Sequence, residues 1–166
     1  MPQNLGDYSG LGRKEQREFW WIRPNRAGYY YLMWELTIGK KDLKKIKVVV
    51  NGAGASAMAC TNLFKSTGVP QENITMVDRK GVIHRGRDDL NQWKSAHAIE
   101  TNNRTLDDAI KDADVFLGLS AAGALKKEMV KKMAKNPIIF ACAKPDPEIT
   151  PEEIEEVRDD AIVATG

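Results

Sequence analysis

The residues best placed to bind a ligand form a small-residue turn with the pattern G-x-G-x-x-A at Gly52, Gly54 and Ala57. Gly52 permits a tight turn, and Gly54 lets the backbone approach a phosphate closely. Ala57 is the third small residue, which lets a helix pack closely against a strand. The pattern predicts a turn that holds the pyrophosphate of a dinucleotide, although alone it is also typical of a strand-to-helix turn without a ligand.

The sequence on either side of the turn favours the phosphate interpretation. Residues 46–50 are continuously apolar and rich in β-branched types, as in a strand covered on both faces. Residues 55–65 have apolar side chains at helical spacing, and the free N–H groups of a helix that begins at Ala55 attract an anion. Asn51, between strand and turn, is either a turn-stabilising amide or a contact near the pyrophosphate.

A carboxylate follows the second predicted strand, residues 73–77. Asp78 lies about 20 residues beyond the glycine turn, where an acidic side chain binds the ribose 2′-hydroxyl of a dinucleotide. An acid there repels the 2′-phosphate of NADP, so NAD is the preferred cofactor. Arg79 and Lys80 follow immediately and could offset that repulsion. The sequence therefore predicts a site that prefers NAD, with NADP as the other candidate.

Small residues follow the third predicted strand, residues 114–119. Ligands of parallel sheets bind outside the carboxyl ends of the strands, so small residues there leave room for the nicotinamide ribose. Ser120 and Ala121 are therefore candidate cofactor contacts. The same residues are equally typical of a turn that simply begins the next helix.

The predicted elements alternate between strand and helix along most of the chain. Further strands are predicted over 137–141 and 161–164, and a helix over 125–134. Thr105 and Thr150 each precede a carboxylate by three residues, which predicts a capped helix start. This order indicates an α/β fold, a Rossmann-like, doubly wound, mostly parallel sheet with helices on both faces.

Composition excludes several classes of protein. The 166 residues carry a net charge of +2 and are 42% hydrophobic, as in a single globular domain. Near-neutral charge gives no case for a nucleic-acid or anionic-membrane partner. No run approaches the ~20 apolar residues of a membrane span and no signal sequence is visible, so a cytoplasmic protein is expected. The lysines within 126–135 are predicted to form a solvated helix face.

Residues that bind metals or form disulfides are not paired in the sequence. Cys60 and Cys142 are interpreted as small buried hydrophobic residues, and His84 and His97 as polar surface residues. The consecutive acids at 88–89 are interpreted as solvent-exposed loop residues rather than metal ligands. No structural zinc site, disulfide or metal site is predicted.

The first 31 residues differ from the rest in composition. They are rich in aromatic and basic residues, including Trp20, Trp21 and the tyrosines at 29–31. Such a segment could pack across the sheet edge, bind a partner, or be foreign to this fold. Aromatic and basic residues together also suit single-stranded nucleic acid, but no RNA-binding motif accompanies them. A helix is predicted over 32–38.

Longer stretches carry a family resemblance, and they stand in compatible order and spacing. They read L-T-I-G-K-K-D-L-K-K-I-K-V-V-V-N-G-A-G-A, M-V-D-R-K-G-V-I-H-R-G-R-D-D-L-N, D-A-D-V-F-L-G-L-S-A-A-G-A-L, P-D-P-E-I-T-P-E-E and D-A-I-V-A-T-G. Over residues 32–166 the chain resembles the NAD(P)-binding domain of the malic enzymes, especially the bacterial type. The resemblance implies oxidative decarboxylation of L-malate to pyruvate and carbon dioxide, with NAD or NADP accepting the hydride and Mg²⁺ or Mn²⁺ assisting.

The resemblance also implies parts that are not recognisable here. In the family the acid/base tyrosine and lysine and the metal-binding carboxylates lie in a preceding domain and in an H-D-D-Q motif. Lys144 stands where the family has an asparagine that faces substrate and nicotinamide, which makes substrate contact at this position doubtful. Gly166 stands where the family continues into an asparagine-bearing loop that completes the substrate pocket.

The expected organisation is therefore an atypical segment, 1–31, followed by a cofactor-binding domain, 32–166, that is incomplete as a catalyst on its own. Expected partners are a dinucleotide, together with a malic-enzyme catalytic domain or further copies of the chain. The alternative is a noncatalytic fragment or interaction module that uses residues 1–31.

Overall fold

The computed structural model describes residues 41–165, which form one six-stranded sheet with helices packed on both faces. The strands are β1 (Val48–Asn51), β2 (Ile74–Asp78), β3 (Gly81–Val82), β4 (Val115–Gly118), β5 (Ile138–Ala141) and β6 (Ile162–Thr165). The helices are α1 (Ala55–Ser66), α2 (Gln92–Ser95), α3 (Leu106–Ile110), α4 (Lys127–Lys131) and α5 (Pro151–Glu155). A 3₁₀ turn at Gln71–Asn73 precedes β2. The predicted segment 1–31 and helix 32–38 lie outside the described residues.

The strand order is β3-β2-β1-β4-β5-β6. All neighbouring pairs are parallel except β2 and β3. The chain runs from β1 to β2 on one side and then crosses to β4 on the other, so the order reverses beside β1. A reversal of this kind opens a crevice at the carboxyl ends of the strands, where such sheets bind ligands. The predicted Rossmann-like α/β fold is confirmed.

Two apolar layers hold the sheet between the helices. In β1, Val48 and Val50 belong to the cluster that contains Phe64 of α1, whereas Val49 belongs to the opposite cluster. That second cluster includes Ile110 of α3 and Ile154 of α5. Because successive strand residues point to opposite faces, a strand buried on both faces needs a continuously apolar sequence, and the β1 run provides it.

Both predicted capped helix starts are present. The Thr105 hydroxyl accepts a hydrogen bond from the Asp108 N–H at the start of α3, and the Asp108 carboxylate accepts one from the Thr105 N–H. Thr150 and Glu153 make the same pair of bonds at the start of α5. These local bonds satisfy N–H groups that a short helix otherwise leaves unpaired.

Helix α2 was not predicted, and two further elements differ from the prediction. The helix predicted over 125–134 spans only α4, because the Leu125 N–H donates to the Glu148 carbonyl and the Ala134 N–H donates to the Ala113 carbonyl. These long-range bonds turn both ends of the segment out of the helix. Strand β3 was not predicted, since it has only two residues and pairs antiparallel with the end of β2.

Several side chains test the predicted surface. The lysines around α4 are exposed or half-buried, as predicted, and Cys60 and Cys142 are half-buried. The prediction for His97 is wrong, because this residue is only 7% exposed and Lys65 Nζ donates to its Nδ1 at 2.9 Å.

No helix within residues 41–165 is long and apolar enough to cross a membrane.

Burial of His97 predicts a loss of stability on acidification. Burial, and then the Lys65 charge, lower the pKa of His97 below its usual value, so the fold favours the neutral ring. Its contribution is complete above about pH 6.5, the ordinary histidine pKa, and declines as the pH falls below it. We expect the unfolding free energy of His97→Gln to depend less on pH between pH 7.5 and 5.5 than that of the wild type. Urea unfolding at each pH measures it. A dependence on pH that is the same in His97→Gln and in the wild type contradicts this expectation.

Candidate functional site

A cleft of about 990 Å³ lies at the carboxyl ends of β1, β2 and β4. Its volume suits a small-molecule or cofactor site. Candidate residues from all three strand ends line the cleft: Asn51, Gly52, Gly54, Asp78, Arg79, Ser120 and Ala121. The fold thus brings together residues from three separate sequence segments in the crevice where a Rossmann-like sheet binds its ligand.

The two glycines of the turn differ in what requires them. Gly52 has φ +138°, and a Cβ there would lie 2.7 Å from the Leu119 carbonyl oxygen. The fold itself therefore requires glycine at this position. At Gly54 φ is −86°, and apart from the glycine and its two chain neighbours no described atom lies within 4 Å of an added Cβ. The fold does not require glycine at Gly54, and the missing side chain instead leaves open space in the cleft.

Helix α1 begins at the floor of this space. Gly54 is its N-cap, no described side chain caps the first turn, and that turn contains no acid. Met58 N–H donates to the Gly54 carbonyl, so the helical bonds begin at that residue. The amides before it, at 55–57, are those that a helix start offers to an anion. Ala57 is buried in the cluster beneath α1, as expected of the small residue that brings helix and strand together.

Substitution of Gly52 tests whether the fold requires glycine there and not at Gly54. We expect Gly52→Ala to lower the free energy of unfolding by about 2–4 kcal/mol, because it combines an unfavourable φ with a backbone clash. Gly54→Ala is the matched control, with an expected loss of about 1 kcal/mol from a poorer N-cap. Urea unfolding of the two variants measures the difference. Equal losses would refute the structural role assigned to Gly52.

Asp78 is the candidate ribose ligand, but its carboxylate is already occupied. A carboxylate has about four lone-pair positions for hydrogen bonds. Four donors reach Asp78: the Lys80 backbone N–H at 2.9 Å, Arg87 Nη1 at 2.8 Å, Arg87 Nη2 at 3.1 Å and Lys94 Nζ at 2.6 Å. No acceptor position remains for a ribose hydroxyl unless one of these donors moves.

The network extends to Asp89 and holds more positive than negative charge. Burial alone raises the pKa of Asp78, but the hydrogen bonds from Arg87, Lys94 and the Lys80 N–H outweigh it and lower the pKa to about 2. Asp89 is exposed, as predicted, but it is not unpaired, because it binds Arg87 Nε at 2.9 Å and Lys80 Nζ at 2.8 Å. Arg79 also lines the cleft, which gives four cations against two carboxylates.

The far wall of the cleft is built by the loop after β4. Asn51 Nδ2 donates to Ser120 Oγ at 2.7 Å, and Leu119 N–H donates to the Asn51 carbonyl at 2.8 Å. Of the two roles open for Asn51, the bond supports the turn-stabilising amide. Ser120 N–H donates to the buried Glu148 carboxyl at 3.0 Å, so this loop is anchored from two sides.

Three candidates are not brought into the lining of the cleft: Ala57, which is buried beneath α1, together with Ala55 and Lys144. Ala55 is exposed at the first position of α1, next to the cleft. Lys144 is exposed after β5 and does not line the cleft, so a role near the substrate stays a prediction. Within residues 41–165 there is no cluster of three His, Cys, Asp or Glu side chains that could hold a metal ion.

Sequence reasoning missed three residues that shape the site: Arg87, Lys94 and Glu148. Arg87 and Lys94 lie 9 and 16 positions beyond Asp78, on segments that periodicity marks only as polar. The alternating R-G-R-D-D charges of residues 85–89 were the available signal for an ion-pair network. Glu148 stands in the P-D-P-E-I stretch that carries the family resemblance, although nothing in that stretch alone indicates burial.

Comparison with known proteins agrees with the fold. Residues 31–166 match the family model described as the malic enzyme NAD binding domain. The chain is 61% identical over 132 residues to an NADP-dependent malic enzyme of Rhizobium meliloti (strain 1021) and 48% identical over 132 residues to an NAD-dependent malic enzyme of the same strain. Each alignment covers 79% of this chain and 17% of the relative's length.

A solved structure of a malic enzyme is also similar to this chain in three dimensions. The NAD-dependent malic enzyme of Thermotoga maritima superimposes with a TM-score of 0.75 and 35% sequence identity, over 83% of this chain and 37% of that one. The comparisons give no support to an interaction module. With a mostly parallel sheet, a cleft at its switch point and a family match over residues 31–166, the chain belongs to the malic enzyme family.

Proposed function

We propose that this chain is the NADP-binding domain of a malic enzyme and holds the dinucleotide that accepts hydride from L-malate. The observation that carries the choice of NADP is the occupied carboxylate of Asp78 among excess cations at the end of β2. The expectation of NAD rested on a free carboxylate for the ribose 2′-hydroxyl. With its acceptor positions filled, Asp78 holds the cations in place instead.

The proposed 2′-phosphate site lies at Arg79 and Lys80. Within residues 41–165 the Arg79 side chain has no hydrogen-bond or ion-pair partner, and it lines the cleft. The Lys80 side chain is 71% exposed and, among the described residues, pairs only with Asp89. Both can turn toward a dianion and donate charge-assisted hydrogen bonds, which are the stronger kind. The NADP-dependent relative is also more similar to this chain than the NAD-dependent one, at 61% against 48% identity.

The rest of the cleft is assigned to the other parts of the dinucleotide. The open space at Gly54 and the uncapped amides of α1 suit the pyrophosphate. The loop that carries Ser120 and Ala121 suits the nicotinamide ribose, because its small side chains leave the wall open. When bound, the nicotinamide takes up a hydride, and the protein residues fix its position and orientation.

The remaining chemistry is proposed to come from outside these residues. The chain spans 17% of the length of the Rhizobium meliloti relatives, and residues 41–165 hold no cluster suited to a divalent cation. No metal-assisted step is therefore assigned to this chain. A malic-enzyme catalytic domain outside the described residues is proposed to supply the acid, the base and the cation.

Calorimetric titration of the purified chain tests the proposal. We expect saturable binding of NADP, with an affinity about tenfold or more above that for NAD, from the added ionic contacts. Tighter binding of NAD than NADP would reject the proposed 2′-phosphate site while keeping the dinucleotide site. Absence of heat with either nucleotide at millimolar concentration, from a folded chain, would reject both.

A further inference from the structure

Glu148 is an unusual residue in this domain, since it is acidic and 0% exposed. Fully buried acids are rare unless they are paired. No Lys, Arg or His side chain of the described residues makes an ion pair with it. Its partners are backbone amides, which makes Glu148 a link between main-chain segments rather than one end of a salt bridge.

The two carboxyl oxygens of Glu148 bind two different loops. Oε1 accepts from the Ser120 N–H at 3.0 Å, after the end of β4. Oε2 accepts from the Ala143 N–H at 3.0 Å, after the end of β5. One side chain thus joins the loops that follow two neighbouring strands, at the edge of the sheet where the cleft lies.

Neighbouring main-chain bonds reinforce this link. The Leu125 N–H donates to the Glu148 carbonyl at 3.2 Å, and the Gly123 N–H donates to the Pro147 carbonyl at 3.1 Å. Gly118 leaves room for the carboxyl group, since a Cβ there would lie 2.6 Å from Glu148 Oε2. The segment 147–148 therefore holds the whole loop after β4, from both the side chain and the backbone.

The Glu148 link supports only the half of the cleft that is lined by the loop after β4. Ser120 and Ala121 line the cleft on the side assigned to the nicotinamide ribose, and Ser120 is also bound to Asn51. Ala143 immediately precedes Lys144. On the other side, Lys80, Arg87 and Lys94 are held by Asp78 and Asp89, and within residues 41–165 none of the three bonds to Glu148. Displacement of Glu148 disturbs the β4 and β5 loops while the opposite wall keeps its own supports.

We propose that Glu148 is a positioning residue that joins the loops after β4 and β5 into one rigid wall for the nicotinamide half of the dinucleotide. The inference rests on the proposed dinucleotide function. A carboxyl group suits the task because each of its oxygens accepts a backbone N–H, whereas a glutamine amide has one acceptor oxygen and presents a donor to the other N–H.

Glu148→Gln separates the two halves of the ligand. We expect the variant to bind NADP about tenfold or more weakly than the wild type, while its affinity for adenosine 2′,5′-bisphosphate stays within about twofold. The bisphosphate carries the adenosine and 2′-phosphate but no nicotinamide. Calorimetry of both ligands against both proteins gives the comparison. Gly118→Ala, which displaces the carboxyl group without removing it, is expected to show the same selective loss.

Other outcomes overturn the inference in distinguishable ways. Unchanged NADP affinity in Glu148→Gln, or equal loss of both ligands, contradicts a role confined to the nicotinamide side. Absence of binding of either ligand to the wild type instead rejects the proposed function. If both variants fail to fold, hydrogen exchange of the wild-type chain decides: the Ser120 and Ala143 amides must exchange as slowly as strand amides. Fast exchange at either amide contradicts the rigid wall.

Discussion

Gly54→Val is expected to abolish dinucleotide binding while the chain stays folded. The two methyl groups of valine would occupy the space beside the first amides of α1, which the described part of the protein leaves empty. A pyrophosphate excluded from these amides loses several charge-assisted hydrogen bonds at once. We expect the affinity for NADP and NAD to fall about 100-fold or more in calorimetric titrations, which corresponds to about 2.7 kcal/mol.

The control for Gly54→Val lies on the same helix. Ala59 is exposed on α1 and does not line the cleft, so Ala59→Val adds a β-branched side chain without entering the site. Its binding is expected to match the wild type. Urea unfolding should show that each variant loses no more than about 1 kcal/mol, in line with helix propensity and N-cap preference. Normal binding by a folded Gly54→Val chain would place the pyrophosphate elsewhere.

The double substitution Arg79→Ala with Lys80→Ala is expected to remove the preference for NADP. Both side chains offer the 2′-phosphate charge-assisted hydrogen bonds, and because both are exposed we expect the two together to contribute about 1.5–3 kcal/mol. The expected result is a 10- to 100-fold weaker affinity for NADP, with the affinity for NAD within about threefold of the wild-type value. Parallel titrations with the two nucleotides measure this selectivity.

Arg85→Ala is the matched control for this variant, because Arg85 is exposed on the neighbouring loop and does not line the cleft. It removes a positive charge without removing a proposed ligand. We expect it to lower NADP binding only slightly, and less so at higher salt. An equal loss of NADP affinity in both proteins would mean that net charge, rather than a phosphate site at Arg79 and Lys80, sets the preference.

Local sequence patterns predicted the elements of this fold well, because the information that forms them is local. The apolar run of β1 and the capping pairs that begin with Thr105 and Thr150 depend on residues a few positions apart. The same holds for the glycine turn, whose backbone geometry follows from Gly52 itself. Residues that are small or apolar at fixed spacing leave few structural choices.

The burial and the hydrogen-bond partners of polar side chains could not be predicted in this way. Asp78 was correctly placed at the end of β2. Its carboxylate is occupied because the chain after β3 brings Arg87 and Lys94 back to it. Burial of His97 and Glu148 likewise depends on partners distant in sequence, Lys65 and the β4 loop. Spacing gives the position of a polar group along an element, whereas tertiary contacts decide whether it is free to bind a ligand.

The most direct test of the account is an NMR titration of the ¹⁵N-labelled full chain with NADP. We predict that the largest amide shift changes fall at 55–57, at the start of α1, and at Ser120 and Ala121 in the loop after β4. A separate polar cleft, lined by residues that include Lys45, Glu72 and Asp114, lies away from the assigned site, and changes confined to it would contradict the assignment. Absence of any change at millimolar NADP would contradict cofactor binding by this chain.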